Sequence, residues 1–289
     1  MKCSDTIKYI KDNNLVEGFN NTYLDDVRIF KNDYSVKRQL LDYNPGILIV
    51  LNGIKHGYIG CVHFEYSRDY YLVLPTHLQF ECEAIASKED PVFGIHIEID
   101  IAMLNELILK MDLKPPLVNV NSFRVNPIKI DEKIEQASIR LLDVLTNKTD
   151  SIVLGQSIVK EIMYLVLKGE NMGILYSLCA KGSDYDRLAK ALRIMHTNFD
   201  KRLSVENLAN ECCMSASGFY KIFKSLTGES PLQYLKKIRL TKAKDLLIKQ
   251  QLKACDVALF TGYESVSQFS REFKRHYGYT PGEIKTLSL

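Results

Sequence analysis

Between residues 46 and 99 the apolar positions fall in short runs. Gly46–Asn52, Cys61–Tyr66, Tyr70–Leu74 and Val92–Ile99 are rich in Val, Ile, Phe and Tyr. Asn44-Pro45-Gly46, Asn52-Gly53, Ile59-Gly60 and Pro75 punctuate them. In Gly94-Ile95-His96-Ile97-Glu98-Ile99 the isoleucines share one face, and His96 and Glu98 the other. Many short strands with turns between them predict a sandwich or a small barrel. The period changes after Asp100. Ile101–Met111 reads as a helix, broken by Pro115-Pro116. Ile130, Ile134, Ala137, Leu141 and Val144 recur at steps of three and four, which predicts a helix over Asp131–Leu145 with one apolar seam. A second helix, Ile152–Leu167, is apolar on more than one side and ends at Gly169. A narrow seam serves either the domain's own core or a partner helix. We take Ile134, Ala137, Leu141 and Val144 as a dimer contact.

Residues 185–289 carry one plan twice. Leu203-Ser204-Val205-Glu206-Asn207-Leu208-Ala209 opens a short helix with Ser204 as N-cap, Glu211-Cys212-Cys213-Met214-Ser215 makes a turn, and Ser217–Leu226 is a second helix closed by Thr227-Gly228. Further on, Asp256–Phe260 repeats the short helix, Thr261-Gly262-Tyr263 the turn, and Ser265–His276 the second helix, closed by Tyr277-Gly278. Between them Pro231 opens a segment in which Leu232, Leu235, Ile238, Leu240, Ala243, Leu246 and Leu247 predict a connecting helix. One such pattern says little. Two, with a helical spacer, point to a DNA-binding module.

Charge sharpens this picture. The 289 residues carry a net charge of +3, but residues 185–289 hold 18 Lys+Arg against 10 Asp+Glu, a balance of +8, while residues 1–184 hold 20 against 25, a balance of −5. A basic third joined to a mildly acidic remainder fits a polyanion-binding module attached to something else. The seven cysteines are odd in number and scattered, and no CxxC occurs, so neither a disulfide framework nor a zinc ribbon is expected. The expected compartment is the reducing cytoplasm. No apolar run approaches the ~20 residues of a transmembrane helix, and Met1–Phe19 lacks the apolar block of a signal peptide.

The stretch Asp256–Pro281 resembles the signature of AraC/XylS-type transcription regulators. Ala258 in the first helix, Gly262 in the turn, Phe269, Arg271, Phe273, Lys274, Gly278 and Pro281 fall at the signature positions. The first unit follows the same plan with Cys213 in the turn and Gly218 inside the second helix. Upstream, the segment from Tyr43-Asn44-Pro45-Gly46 to Gly53, the Gly60 hairpin and the helices before residue 185 resemble the cupin-like N-terminal domain of one branch of that family. The resemblance implies an α+β chain. Residues 1–105 form a cupin-like β-barrel acting as sensor, residues 106–183 a helical linker with the dimer contact, and residues 184–289 an all-α domain of two helix-turn-helix units joined by a helix. It implies a cytoplasmic, sequence-specific DNA-binding regulator and not an enzyme. Its partners are double-stranded promoter DNA, a second copy of the chain, a small-molecule effector and RNA polymerase; there is no cofactor and no membrane. Two alternatives are a regulator without a ligand, controlled by abundance or dimerisation, and a cupin enzyme fused to a DNA-binding domain.

A recognition helix must bury one stripe and offer another to the major groove. In the first unit Phe219, Ile222, Phe223 and Leu226 form the buried stripe; Ser217, Tyr220 and Lys221 face bases and Lys224 a phosphate. In the second, Phe269 and Phe273 turn inward; Ser267, Gln268 and Arg271 face bases, and Lys274 and Arg275, late in the helix, face phosphates. A spacer of about 17 residues spans ~25 Å. That sets the recognition helices about one DNA turn, ~34 Å, apart. In the β domain the expected ligand lining is Tyr58, Phe64, Tyr71, Phe80 and His96, with Arg38 and Lys55 as anchors for an anionic ligand. His56, His63, Glu65, His77, Glu81, His96 and Glu98 contain no HxH and lack the ligand spacing of metal-binding cupins, so they read as polar strand faces and no metal is expected. Cys212-Cys213, in the turn, reads as small buried helix residues rather than a redox pair. No Gly-rich phosphate loop, serine-nucleophile motif or catalytic triad stands out.

Overall fold

The computed structural model describes residues 15–113, 125–170, 172–180 and 182–284, and the Pro115-Pro116 break lies outside them. The chain divides into two compact units, Met1–Asp186 and Arg187–Leu289.

In the first unit the period-two segments form strands β1 (Gly18–Asn21), β2 (Val27–Asn32), β3 (Val36–Tyr43), β4 (Gly46–Asn52), β5 (Ile54–Ile59), β6 (Val62–Ser67), β7 (Tyr70–Leu74), β8 (Leu78–Ile85), β9 (Val92–Glu98) and β10 (Ile128–Lys129). They pair antiparallel into a six-stranded sheet, order β1-β2-β9-β4-β7-β10, and a four-stranded sheet, order β3-β8-β5-β6. The expected barrel is therefore open: the two ladders are not hydrogen-bonded into one closed sheet. Every residue of β4 is buried, as its unbroken apolar run requires of a strand covered on both faces.

One face of the larger sheet carries Ile29, Ile47, Ile49, Val73, Ile95 and Ile97. It shares a core with helices α1 (Ile101–Lys110), α2 (Glu132–Val144), α3 (Gln156–Lys168) and α4 (Met172–Cys179). The other face meets the smaller sheet, where the Lys55 ammonium of β5 lies 5.0 Å from the Phe30 ring of β2. Helix α2 starts where its cap residue predicts: the Asp131 carboxylate accepts a 2.8 Å bond from the Ile134 amide.

Ile134, Ala137 and Leu141, taken as a dimer contact, are buried in the unit's own core, and Val144 packs against it. A helix laid on a hydrophobic sheet covers its apolar stripe there and leaves none for a partner. Helices α2, α3 and α4, within the stretch 106–183 expected as a helical linker, share the first unit's core. The helix expected from Ile152 begins as a wider turn, Ser151–Gly155, before α3. Gly155 sits so close to Leu24 that a Cβ would lie 2.6 Å from its Cδ1.

The helix α5 (Asp184–Thr197) contains the division between the units. The second unit continues with α6 (Val205–Glu211), α7 (Ala216–Thr227), α8 (Pro231–Lys249), α9 (Ala254–Phe260) and α10 (Val266–Tyr277). Phe219, Phe223 and Tyr234 fill the first half of its core, and Tyr263, Phe269 and Phe273 the second.

Candidate nucleic-acid interface and effector site

The two helix-turn-helix units repeat at the level of single hydrogen bonds. After α6 the Met214 amide donates to the Ala209 carbonyl, and after α9 the Tyr263 amide donates to the Ala258 carbonyl, both at 2.9 Å. The residue between is left-handed in each case: Cys213 at φ 53° and Gly262 at φ 77°. Ser215 and Ser265 cap the following helices by accepting from the Gly218 and Gln268 amides. Gly228 and Gly278, both left-handed, end them. Gly218 lies in the first turn of α7, where a Cβ would stand 3.0 Å from the capping Ser215 hydroxyl.

This capping fixes the rotation of α7 and α10. Phe219, Ile222, Phe223, Leu226, Phe269 and Phe273 are buried. Ser217, Tyr220, Lys221 and Lys224 on α7, and Ser267, Gln268, Arg271, Lys274 and Arg275 on α10, are exposed. Gln268 donates to Glu272 at 3.3 Å, and Glu272 also receives Tyr263 Oη at 3.2 Å and an ion pair from Lys236 at 3.2 Å. Burial alone would raise the Glu272 carboxyl, but these donors hold it below the ordinary value. It is a structural tie between α8 and α10 that sequence reading missed. The spacer α8 runs 19 residues, so its length is about 28 Å at 1.5 Å per residue.

In the first unit, strand alternation separates the expected ligand residues. Lys55, Phe64 and Phe80 lie between the sheets, together with Tyr43, Tyr66 and Cys82, which were not foreseen. Two of these are legible by period two, since Tyr66 follows Phe64 and Cys82 follows Phe80 by two positions; Tyr43, at the end of β3, has no such neighbour among the expected residues. Lys55 is 5% exposed, and its ammonium donates to Tyr43 Oη at 3.2 Å. Its ring neighbours are Phe30, Tyr43 and Tyr66, and it has no carboxylate partner among the described residues. Burial lowers its pKa. Tyr43 Oη donates in turn to Cys82 Sγ at 3.3 Å, and burial pushes both the phenol and the thiol up.

His96, also buried, bonds the Asn44 carbonyl through Nε2 at 3.2 Å, while its Nδ1 is without a hydrogen-bond partner. Burial, opposed by that carbonyl bond, lowers its pKa to about 4. Three residues expected in the lining face elsewhere. Tyr58 is three positions from Lys55 and so on the opposite face, where its hydroxyl donates to Glu83 at 3.1 Å. Arg38 sits on that outer face, 3.8 Å over the Tyr58 ring and paired with Glu81. Tyr71 points into the helix-covered core with Val73. Among the other polar residues, His77 pairs with Asp42 at 2.9 Å and Glu98 with Arg28 at 2.8 Å. His56, His63 and Glu65 lie on the outer face of the four-stranded sheet.

Residues 23–174 match the AraC-type transcriptional regulator N-terminus, and residues 208–286 match a helix-turn-helix domain. The chain belongs to the AraC-type transcriptional regulators. This family is one of regulators, not enzymes. The chain is 40% identical over 104 residues to the HTH-type transcriptional regulator AlkR of Acinetobacter baylyi, a match covering 36% of this chain and 34% of that one. It is 29% identical over 181 residues to the probable transcriptional regulator LumQ of Photobacterium leiognathi, covering 61% and 70%. Thus the chain spans about a third of the length of the first relative and over two thirds of the second. In fold it is similar to ToxT of Vibrio cholerae. Apo ToxT superposes with a TM-score of 0.56 at 15% identity over 95% of this chain and 100% of that one. ToxT bound to an unsaturated fatty acid gives 0.53 at 12% identity over 93% and 96%.

Proposed function

We propose that this AraC-type regulator binds promoter DNA through α7 and α10, each entering a successive major-groove segment, and that a small anionic molecule lodged between the two β-sheets controls it. The observation that carries the first part is the exposed polar stripe on two capped, equivalently built helices. Ser217, Tyr220, Lys221, Ser267, Gln268 and Arg271 are the base readers; Lys224, Lys274 and Arg275 position the protein on phosphates. Lys55 supports the second part. A buried ammonium with three donors and a single phenol acceptor gains most from a carboxylate. The aromatic rings around it suit an apolar tail, and the fatty acid bound to ToxT combines those two chemistries. The regulator acts in the cytoplasm as a homodimer, through a surface other than the α2 seam, with RNA polymerase as partner.

A gel-shift series over salt tests the DNA reading. Arg271→Ala weakens specific binding by ~1–3 kcal/mol and relaxes preference at one base pair. Lys274→Ala weakens all sequences evenly and flattens the salt slope. Equal loss of specific and random binding in Arg271→Ala would remove Arg271 from the base readers.

A further inference from the structure

The β5–β6 hairpin turns through Gly60-Cys61 and places side chains alternately on the two sheet faces. Lys55, Phe64 and Tyr66 go inward; His56, Tyr58, His63 and Glu65 go outward. On the outer face, His56 is directly opposite Glu65 of β6 and Glu83 of β8, and His63 is opposite Tyr58. The His56 and His63 rings lie with centroids 5.3 Å apart, tilted by 33°. His56 Nδ1 and His63 Nε2 face each other at 3.3 Å.

We propose that His56 and His63, joined by the Glu65 carboxylate, form a binding site for a divalent transition-metal ion. Two nitrogens each about 2.0–2.1 Å from a tetrahedral Zn2+ stand about 3.3–3.4 Å apart, which matches this pair. With each ring carrying its hydrogen on the other nitrogen, both facing lone pairs are available to one ion. Paired imidazoles suit zinc, nickel, copper or cobalt rather than calcium or magnesium, whose ligands are oxygens. His63 is held in place by its stack on Tyr58, with centroids 4.8 Å apart and an interplanar angle of 23°. Tyr58 is itself fixed by its bond to Glu83 and by Arg38 over its ring. Glu83 is engaged by that phenol, whereas Glu65 is exposed and has no hydrogen bond among the described residues. Cross-strand neighbours have Cβ atoms about 4.5–5.5 Å apart, so a rotamer change carries the Glu65 carboxylate to the ion. Water completes the coordination.

The site is independent of the effector reading, because it lies on the opposite face of the same strands. The ion staples β5 to β6 and so stiffens the backbone that presents Lys55, Phe64 and Tyr66 to the interior. Seven positions apart and without an HxH, the two histidines gave no signal in the sequence; the hairpin register alone brings them together.

The test is titration of the chelator-treated full chain with Zn2+ by calorimetry and with Co2+ by absorption spectroscopy. The expected result is about one equivalent bound, weakened about tenfold or more in His56→Gln and in His63→Gln and less in Glu65→Gln. Co2+ gives visible ligand-field bands without a thiolate charge-transfer band, and Zn2+ raises the melting temperature of the wild type but not of the double histidine variant. His63 is exposed and His56 half-buried, and circular dichroism verifies that the variants fold. Equal Zn2+ affinity in the wild type and the double variant overturns the proposal. So does a Co2+ spectrum dominated by a thiolate band that vanishes in Cys61→Ser, since the ligand would then be the hairpin-tip thiol.

Discussion

Cys213 is held at φ 53° in the turn where the second helix-turn-helix unit has a glycine. A side chain in the left-handed region costs roughly 1–2 kcal/mol, and glycine returns part of that through its larger unfolded-state entropy. Cys213→Gly is therefore expected to stabilise the chain by about 0.5–1 kcal/mol, read from the urea midpoint of the second unit. Gly262→Ala has the opposite sign. It combines φ 77° with a Cβ only 2.4 Å from the Asp200 carbonyl oxygen, and backbone has to shift. His96 sets a second residue-scale expectation. Its folded pKa is lowered from 6.5 to about 4, so between those values the unfolded chain binds more protons and stability rises with pH. The contribution is present above pH 6.5 and is lost as pH falls through 4. It amounts to about 3 kcal/mol at 1.36 kcal/mol per pH unit. The difference in unfolding free energy between wild type and His96→Gln, followed from pH 7 to pH 4, should shrink by that order; a flat difference would show that folded His96 titrates as it does in the unfolded chain.

Helix α2 shows what an element's environment does to a sequence pattern. The seam Ile134, Ala137, Leu141 is the stripe a coiled coil would use, and the same stripe suits a helix lying on a sheet. Leu141 is fully buried against the six-stranded sheet layer and its helices. Leu141→Ala is thus expected to cost about 2–5 kcal/mol in stability of the first unit. Sedimentation mass should be unchanged wherever the protein remains folded. A folded, fully stable variant with altered mass would return the seam to a dimer interface. The ligand residues teach the same lesson for strands. Lys55 and Tyr58 on one continuous strand cannot line one cavity, because an odd separation puts them on opposite faces. The alternation of β5 was available in the sequence, but without its partners nothing marked which phase faced inward.

At the scale of the whole molecule, one unit carries a buried cation with no carboxylate partner among the described residues, and the other an exposed basic stripe. If an anionic effector controls DNA binding, it must bind two states of the protein with different affinity. Lys55→Met keeps the volume of the site, removes the charge, and ends the desolvation cost of the ammonium. The variant is expected to fold at least as stably as wild type, bind DNA without effector, and lose its response to a long-chain carboxylate in a gel-shift titration. A response unchanged in Lys55→Met would place the effector elsewhere or leave control to abundance.

The second unit was nearly complete in the sequence. Its structure is local: caps, turn residues and a repeated order of short helices lie within a few positions of one another, and Ser204, Ser215, Gly262 and Gly278 announce their backbone roles by type. Strands β4, β6, β7 and β9 and the boundaries of α2 were legible for the same reason, since period and cap residue are properties of a short window. What lies across the sheets was not. The openness of the barrel, the direction in which the α2 seam packs, the outward turn of Arg38 and Tyr58, and the meeting of His56 with His63 depend on pairings between residues distant in sequence. Tertiary packing settles these because a strand or helix with one apolar face states that it must be covered, and only the folded neighbours state by what.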